Sequence, residues 1–239
     1  MELDAVYNED CLEGMKRIPD KSIDMILCDL PYGTTNCEWD TIIPLEPLWE
    51  QYKRIIKDHG AILLFAQIPF LIKLGASNLK WLRYKWTWDK RYSTGFLNCH
   101  RMPMKAHEDI LVFYKHLPKY NPQKIKLDKP IRRLKPARES EIYQQKVISA
   151  SGGIYSDKFP ADVLRHKVAQ NPKSHPTEKP VDLLEFLIKS YTDEGEVVLD
   201  NACGSGSTLV AAKNTNRHYI GFEINEKYYK IAKERLNGK

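Results

Sequence analysis

The stretch 196–223, EVVLDNACGSGSTLVAAKNTNRHYIGFE, decides the reading of this chain. An apolar run ends in an acid, a glycine-rich turn follows, then a helix-forming segment, then a second apolar run ending in an acid. The pattern predicts a strand over 196–200, a helix over 208–214 and a strand over 219–223. Gly204 and Gly206 allow a tight turn and a close approach of backbone to a ligand. The third glycine of the dinucleotide fingerprint is missing, because Ser207, Thr208 and Leu209 follow Gly206, and the P-loop lysine is missing too. Neither a pyrophosphate nor a triphosphate is indicated.

The two strand-end acids say more. Glu223 is placed to take both hydroxyls of a ribose, and Asp200, beside the turn, to meet a cation. A ligand with a ribose and an amino-acid ammonium but no phosphate is S-adenosylmethionine. A structural βα turn with a helix-capping Asp is the competing reading, and Gly-x-Gly alone does not decide between them.

Outward from this unit the α/β pattern continues. Pro180 opens a helix with Val181, Leu184, Leu187, Ile188 and Tyr191 at helical spacing, and a last helix runs over 225–236. Near the N-terminus Asp10 caps a helix whose Leu12, Met15 and Ile18 share a face, ended by Pro19. The run 23–28 reads as a buried parallel strand. A helix over 45–57 and strands over 61–65, 81–88 and 110–114 follow. From 116 to 171 the pattern weakens, broken by prolines and by Gly152-Gly153, which predicts an insertion. The expected organisation is a catalytic half over 1–115, the insertion over 116–171 and a cofactor-binding half over 172–239.

The 239 residues fit one domain with a modest insertion. The charged fraction of 28% suits an ordinary globular chain, and the longest apolar stretch, 61–72, is too short to span a bilayer. The acidic N-terminus lacks an apolar signal core, which predicts a protein that is not secreted. The five cysteines form no C-x-x-C pair, which argues against zinc or a disulfide scaffold, and no metal site is expected. Residues 115–175 hold 14 Lys and Arg against 5 Asp and Glu, so the whole positive excess of the chain lies there. A polyanionic partner is the natural inference, against a merely solvated basic loop. Within it, seven of the fifteen residues 124–138 are basic, among them Lys124, Lys126, Arg132, Arg133, Lys135 and Arg138.

The second signal is Asp29-Leu30-Pro31-Tyr32-Gly33, directly after the apolar strand. Ligands in open α/β sheets bind beyond the carboxyl ends of strands. A carboxylate, a rigid turn and an aromatic face suit the handling of a planar, amino-bearing base, although a simple turn explains the tetrapeptide taken alone.

Together the two signals resemble the amino-group DNA methyltransferases with an Asp-Pro-Pro-Tyr motif, which methylate adenine N6 or cytosine N4. Asp29, Leu30, Pro31 and Tyr32 match the catalytic motif, with Leu30 in place of the first proline. The segment 200–206, with Asp200, Ala202, Gly204, Ser205 and Gly206, matches the cofactor motif, and Glu223 the ribose-binding acid. His175-Pro-Thr177-Glu-Lys179-Pro is similar to the motif bordering the methionine part of the cofactor. Asn8-Glu-Asp10-Cys11 is similar to the segment that contacts its adenine. Catalytic motif before cofactor motif is the order of the β-class, a circular permutation of the Rossmann-like sheet. The basic insertion between them is, in that class, the target-recognition region.

The resemblance implies transfer of a methyl group from S-adenosylmethionine to a base flipped out of double-stranded DNA. Asp29 and the Leu30 carbonyl would accept hydrogen bonds from the target amino group, and Tyr32 would stack on the base. An opening Asp rather than Ser favours adenine N6 over cytosine N4. A catalytically dead DNA-binding module is the rival from another class, against which the intact motif residues speak. The resemblance favours a homodimer, leaves open a cognate restriction endonuclease and the choice between a bacterial and a phage host, and implies a cytoplasmic, DNA-associated setting. His107 and Glu108, before the strand over 109–114, also resemble the family, and a strand-start capping role explains them as well as a catalytic one. Trp81, Trp86 and Trp88 are expected to pack in the core or a loop and not to serve as base-stacking platforms, and the cysteines to be small buried fillers.

Overall fold

The computed structural model describes residues 1–33, 40–135, 151–168 and 178–238. The chain divides into two compact units, Met1–Asn121 with Asp162–Lys239, and Pro122–Ala161. In chain order the elements are β1 (Ala5–Tyr7), α1 (Cys11–Met15), β2 (Ile23–Cys28), α2 (Leu45–Ile55), β3 (Ile56–Ala66), α3 (Phe70–Ser77), β4 (Leu82–Thr94), β5 (Lys105–Phe113), β6 (Ile125–Lys135), β7 (Ser151–Lys158), β8 (Val163–Arg165), α4 (Val181–Tyr191), β9 (Val197–Asp200), α5 (Ser207–Asn214), β10 (His218–Phe222) and α6 (Glu226–Leu236).

The larger unit is built on an eight-stranded sheet in the order β1-β10-β9-β2-β3-β5-β4-β8. β1, β10, β9, β2 and β3 are parallel, and β5 runs antiparallel to both β3 and β4. β2 shows why the sequence reads as it does. All six of its residues are buried. Ile26 and Cys28 join a core layer with Met15, Ile18, Leu48, Tyr52, Ile55 and Phe70. Met25 and Leu27 join the opposite layer with Leu183, Leu184, Leu187, Leu209 and Ala211. A strand covered on both faces has no polar side to show, so it appears as a nearly continuous apolar run, broken only by Asp24, which accepts from the Val197 amide and from Lys57.

The topology also carries the permutation. β2, early in the chain, lies between β3 and the late strand β9, and the N-terminal β1 pairs with the C-terminal β10. From β9 the chain moves to β10 on one side, and from β2 to β3 on the other. The carboxyl ends of β2 and β9 therefore flank the point where the winding reverses, the place where open α/β sheets form ligand crevices.

Several elements depart from the expectation. α2 ends at Ile55 and β3 begins at Ile56 with no loop between, because Lys57, Asp58 and His59 continue the strand with exposed side chains. The apolar stretch 61–72 divides at Pro69 into the end of β3 and the start of α3. The second unit, narrower than 116–171, contains an antiparallel pair of β6 and β7 with Arg132 opposite Ile154 and an irregularity between Lys126 and Ile131. Its described side chains are largely exposed, so no alternation of apolar and polar residues marks these strands. Among the described residues no helix is long and apolar enough to cross a membrane. Cys11, Cys28 and Cys203 are buried, Cys99 is half-buried, and Cys37 lies outside the described residues. Trp81, Trp86 and Trp88 are buried.

Candidate active site

A cavity of roughly 650 Å³ opens at the carboxyl ends of β2, β9 and β10. It brings together Asp10, Cys11, Asp29, Leu30, Pro31, Tyr32, Lys179, Asp200, Ala202, Gly204, Ser205 and Glu223, residues scattered over the whole sequence. Gly206 sits just behind it as the first residue before α5, with φ +80, where a Cβ would come within 3.0 Å of the Ala232 Cβ. His175, Thr177 and Arg138 lie outside the described residues. Lys124, Lys126, Arg132, Arg133 and Lys135 belong to the second unit, the last four on β6.

On one side the cavity is made by the turn after β9. Glu223, at the end of β10, accepts a hydrogen bond from the Gly204 amide through Oε2 at 2.9 Å and one from the Asn225 amide through Oε1 at 2.7 Å. Burial raises the Glu223 carboxyl, against those amide donors. Asn8 donates through Nδ2 to the Glu223 and Ile224 carbonyls at 2.8 and 3.1 Å, tying the N-terminal segment to the same strand end. Asp10 caps α1 by accepting from the Leu12 and Glu13 amides. Asp200 accepts from the Ala202 amide at 3.2 Å. Burial pushes its carboxyl up to about 6, against hydrogen bonds from Thr208 and Cys28.

Two supports of this wall have no counterpart in the expected site. Arg235 on α6 donates to the Ser205 carbonyl and hydroxyl, both at 2.9 Å, and pairs with Glu178 at 2.9 Å. Asn201 accepts from the Tyr52 hydroxyl at 2.5 Å and donates to the Cys11 sulfur at 3.5 Å. Both contacts span far-apart stretches of the chain, so no local pattern announces them.

The other side is the loop after β2. Its Gly33, at φ +67, donates its amide to Asp40 at 2.9 Å, and a Cβ there would meet Ile42 at 2.9 Å. Tyr32 donates its hydroxyl to Asp29 Oδ1 at 2.7 Å and stacks on Phe70 at 5.3 Å between ring centroids. Lys179 reaches the other carboxylate oxygen, Nζ to Oδ2 2.5 Å. The same ammonium lies 3.2 Å from Glu108 Oε2, and Lys90 pairs with Glu108 Oε1. Burial raises the Asp29 carboxyl, with Lys179 opposing it.

Glu108 therefore does not cap the start of a strand. It lies inside β5, opposite Trp88, with its carboxylate buried. The sequence did carry a sign of it. Glu108 shares the face of Ile110 and Val112, and Lys90 the face of Trp86 and Trp88, and all four of those apolar residues are core. A charge on the core face of a strand needs a partner.

The sequence model of the DNA methylase family, for N6 and N4 methylation, matches residues 23–234. The chain belongs to the N6/N4 DNA methylases. The methylase is 32% identical to the Type II methyltransferase M.HpaI of Haemophilus parainfluenzae, over 95% of this chain and 72% of that protein. It is 27% identical to the Type II methyltransferase M1.MboII of Moraxella bovis, over 99% and 98% of the two chains. Its fold is that of the M1.HpyAVI–SAM complex, with a TM-score of 0.65 at 23% identity over 96% of this chain and 98% of that one. The cytosine-N4-specific PvuII DNA methyltransferase shares it too, with a TM-score of 0.68 at 16% identity over 98% and 93%. Membership makes the methylase an amino-group DNA methyltransferase with S-adenosylmethionine as methyl donor.

The cavity of the methylase fits that donor. Among the described residues its lining cations are Lys90 and Lys179, and both already face carboxylates. A phosphate would meet no free positive charge. The carboxylates of Asp29, Asp200 and Glu223 line the cavity instead, a set that suits a cationic ligand with hydroxyls. Cys11, Leu12, Phe222 and Ile224 supply apolar wall.

Proposed function

We propose that this methylase transfers a methyl group to adenine N6 in double-stranded DNA at a specific site. The observation that carries the reading is the position of Asp29: it opens the loop directly after β2, in the cavity that also holds Asp200, Gly204 and Glu223. S-adenosylmethionine supplies a methyl group already activated on sulfonium sulfur. Glu223 would hold its ribose, the segment of Asp10 and Cys11 its adenine, and Asp200 and the turn through Ala202, Gly204 and Ser205 its amino-acid part.

The chain's own residues then have one task on the other substrate. The lone pair of an exocyclic amino group is delocalised into the ring, which makes it a poor nucleophile. Asp29 and the Leu30 carbonyl accept its two hydrogens, draw it toward tetrahedral geometry and localise the lone pair. The same two oxygens stabilise the positive charge that grows on nitrogen, and they do so without reorganising. Positioning supplies much of the remaining rate. The base must leave the duplex, at a cost of a few kcal/mol, and stacking on Tyr32 would offset about 1–3 kcal/mol of it. Tyr32 is held for this by Phe70 below its ring and by Asp29 at its hydroxyl.

An opening Asp29 in place of Ser supports adenine. Exposed Lys126 and Arg132 beside exposed Ile131 and Tyr155 on the β6–β7 pair support this unit as the DNA-recognising part. The test is nucleoside analysis of DNA methylated by the purified protein. N6-methyladenine is expected. N4-methylcytosine alone overturns the base, and no methylated nucleoside at all overturns the activity.

A further inference from the structure

Four charges line the cavity around Asp29, three of them buried and Asp29 itself half-buried, and the roles given so far use only one of them. Asp29 and Glu108 are the carboxylates, Lys179 and Lys90 the ammoniums. Lys179 lies between the two acids, 2.5 Å from Asp29 Oδ2 and 3.2 Å from Glu108 Oε2. Lys90 closes the far end on Glu108 Oε1. Both ammoniums also lie over aromatic rings, Lys179 at 5.1 Å from the Phe65 centroid and Lys90 at 5.4 Å from that of Trp88. Each lysine is 7% exposed, so neither swings freely into solvent.

A carboxylate serves as acceptor only while it is charged and pointed. Burial raises the Asp29 carboxyl, disfavouring its charged form, and Glu108 nearby adds to that tendency. We propose that Lys179, anchored by Glu108 and through it by Lys90, is a positioning residue of the transfer that holds the Asp29 carboxylate in place as a charged acceptor. The inference rests on the reading of Asp29 as the acceptor of the target amino group. It goes beyond the family resemblance, which puts Lys179 beside the methionine part of the cofactor.

The geometry supports a division of labour. Tyr32 holds Oδ1 and Lys179 holds Oδ2, so the carboxylate plane is fixed from two sides. Glu108 Oε2 is buried and takes no well-aligned hydrogen bond, although it faces Lys179. Its function there is charge and not direction. Burial would raise the Glu108 carboxyl, but Lys179 and Lys90 hold it down at about 2, so it remains an anion at working pH. The other titratable groups around Asp29 are Cys28 at the end of β2 and Asp200 at the end of β9.

The network predicts opposite effects from its two neighbours. Lys179→Met leaves two acids with one ammonium, so one proton is taken up and the Asp29 titration moves up by about 1–3 pH units. Turnover at pH 7 should fall tenfold or more and recover as pH rises, while the Kd for S-adenosylmethionine stays within about threefold. Lys179→Arg should restore most of the turnover. Glu108→Gln removes the acid that raises Asp29, so the acid limb of the turnover profile should move down. The direct readout is the carboxyl carbon-13 titration of Asp29 in DNA-free protein, assigned by its loss in Asp29→Asn. That readout does not depend on which base is methylated. A wild type that methylates nothing, with the titration moving as expected, would sink the activity and leave the charge network standing. An Asp29 titration unmoved in both variants, or moved the same way in both, overturns the proposal. So does a Kd for S-adenosylmethionine weakened more than tenfold by Lys179→Met at unchanged turnover, which would make Lys179 a cofactor contact. Thermal melting checks folding. Should the Met variant not fold, Lys179→Gln carries the same expectation.

Discussion

At the scale of single residues the site is a matter of which carboxylates are charged. Asp29 is one of two acceptors for the target amino group, so its removal is comparable to the loss of one oxyanion-hole donor. Asp29→Ala should lower turnover by about 10²–10³ while calorimetry still finds the cofactor bound. Near wild-type turnover would take Asp29 out of the mechanism. Asp200 has the opposite problem, because burial keeps its carboxyl at about 6. Between about pH 4 and pH 6 the native protein therefore holds a proton that the unfolded chain has released. Stability must fall as pH rises through that window and level off above it. Asp200→Asn has no such proton to lose. Its stability relative to wild type should improve by up to about 3 kcal/mol between pH 4 and pH 7, read by denaturant melts at both values. A flat difference would make Asp200 an ordinary carboxylate.

Among the elements, α1 shows how packing places a ligand wall. The helix has five residues, too few to stand alone, and it is fixed by its Asp10 cap and by its contact with β10. That contact is close because Gly14 faces Phe222: a Cβ there would lie 2.2 Å from the ring. Gly14→Ala should destabilise the protein by about 1–3 kcal/mol, the usual cost of overpacking. The displaced helix would carry Asp10 and Cys11 away from the cavity, so cofactor affinity should fall together with melting temperature. A variant with unchanged affinity would show that the first turn of α1 does not contact the cofactor.

For the molecule as a whole, the charge is divided between a nearly balanced larger unit and a basic insertion. If the insertion neutralises phosphates, log K for DNA falls with log salt by about 0.9 per phosphate contacted. Changing Arg132 and Arg133 together to Ala should flatten that slope by up to about two, with cofactor affinity unchanged. Equal loss on cognate and random DNA assigns the arginines to the backbone, and loss on cognate DNA alone puts one at a base edge. An unchanged slope and affinity make the stretch a solvated loop. Lys124 is a weaker candidate, because it already faces Asp157 at 3.3 Å and the Phe159 ring at 5.3 Å.

The sequence by itself determined the parts whose physics is local. Asp10 announced a helix start because a cap needs only the amides two and three residues on. The runs 23–28 and 197–200 announced central strands because, Asp24 and the strand-end Asp200 apart, both their faces are apolar. Gly204, Gly206 and the strand-end acids announced a ligand turn because such a turn is made by consecutive residues. Tertiary structure decided what depends on residues far apart in the chain. The β6–β7 pair was not legible, since exposed strands carry no alternation to read. Lys179 looked like part of a loop motif until the fold put Asp29 and Glu108 on either side of it. Arg235, in the last turn of α6, reaches Ser205 only because the fold carries that helix there. Charges inside a site are specified by partners, and for Lys179 and Arg235 the partners lie far along the chain, where only the fold brings them together.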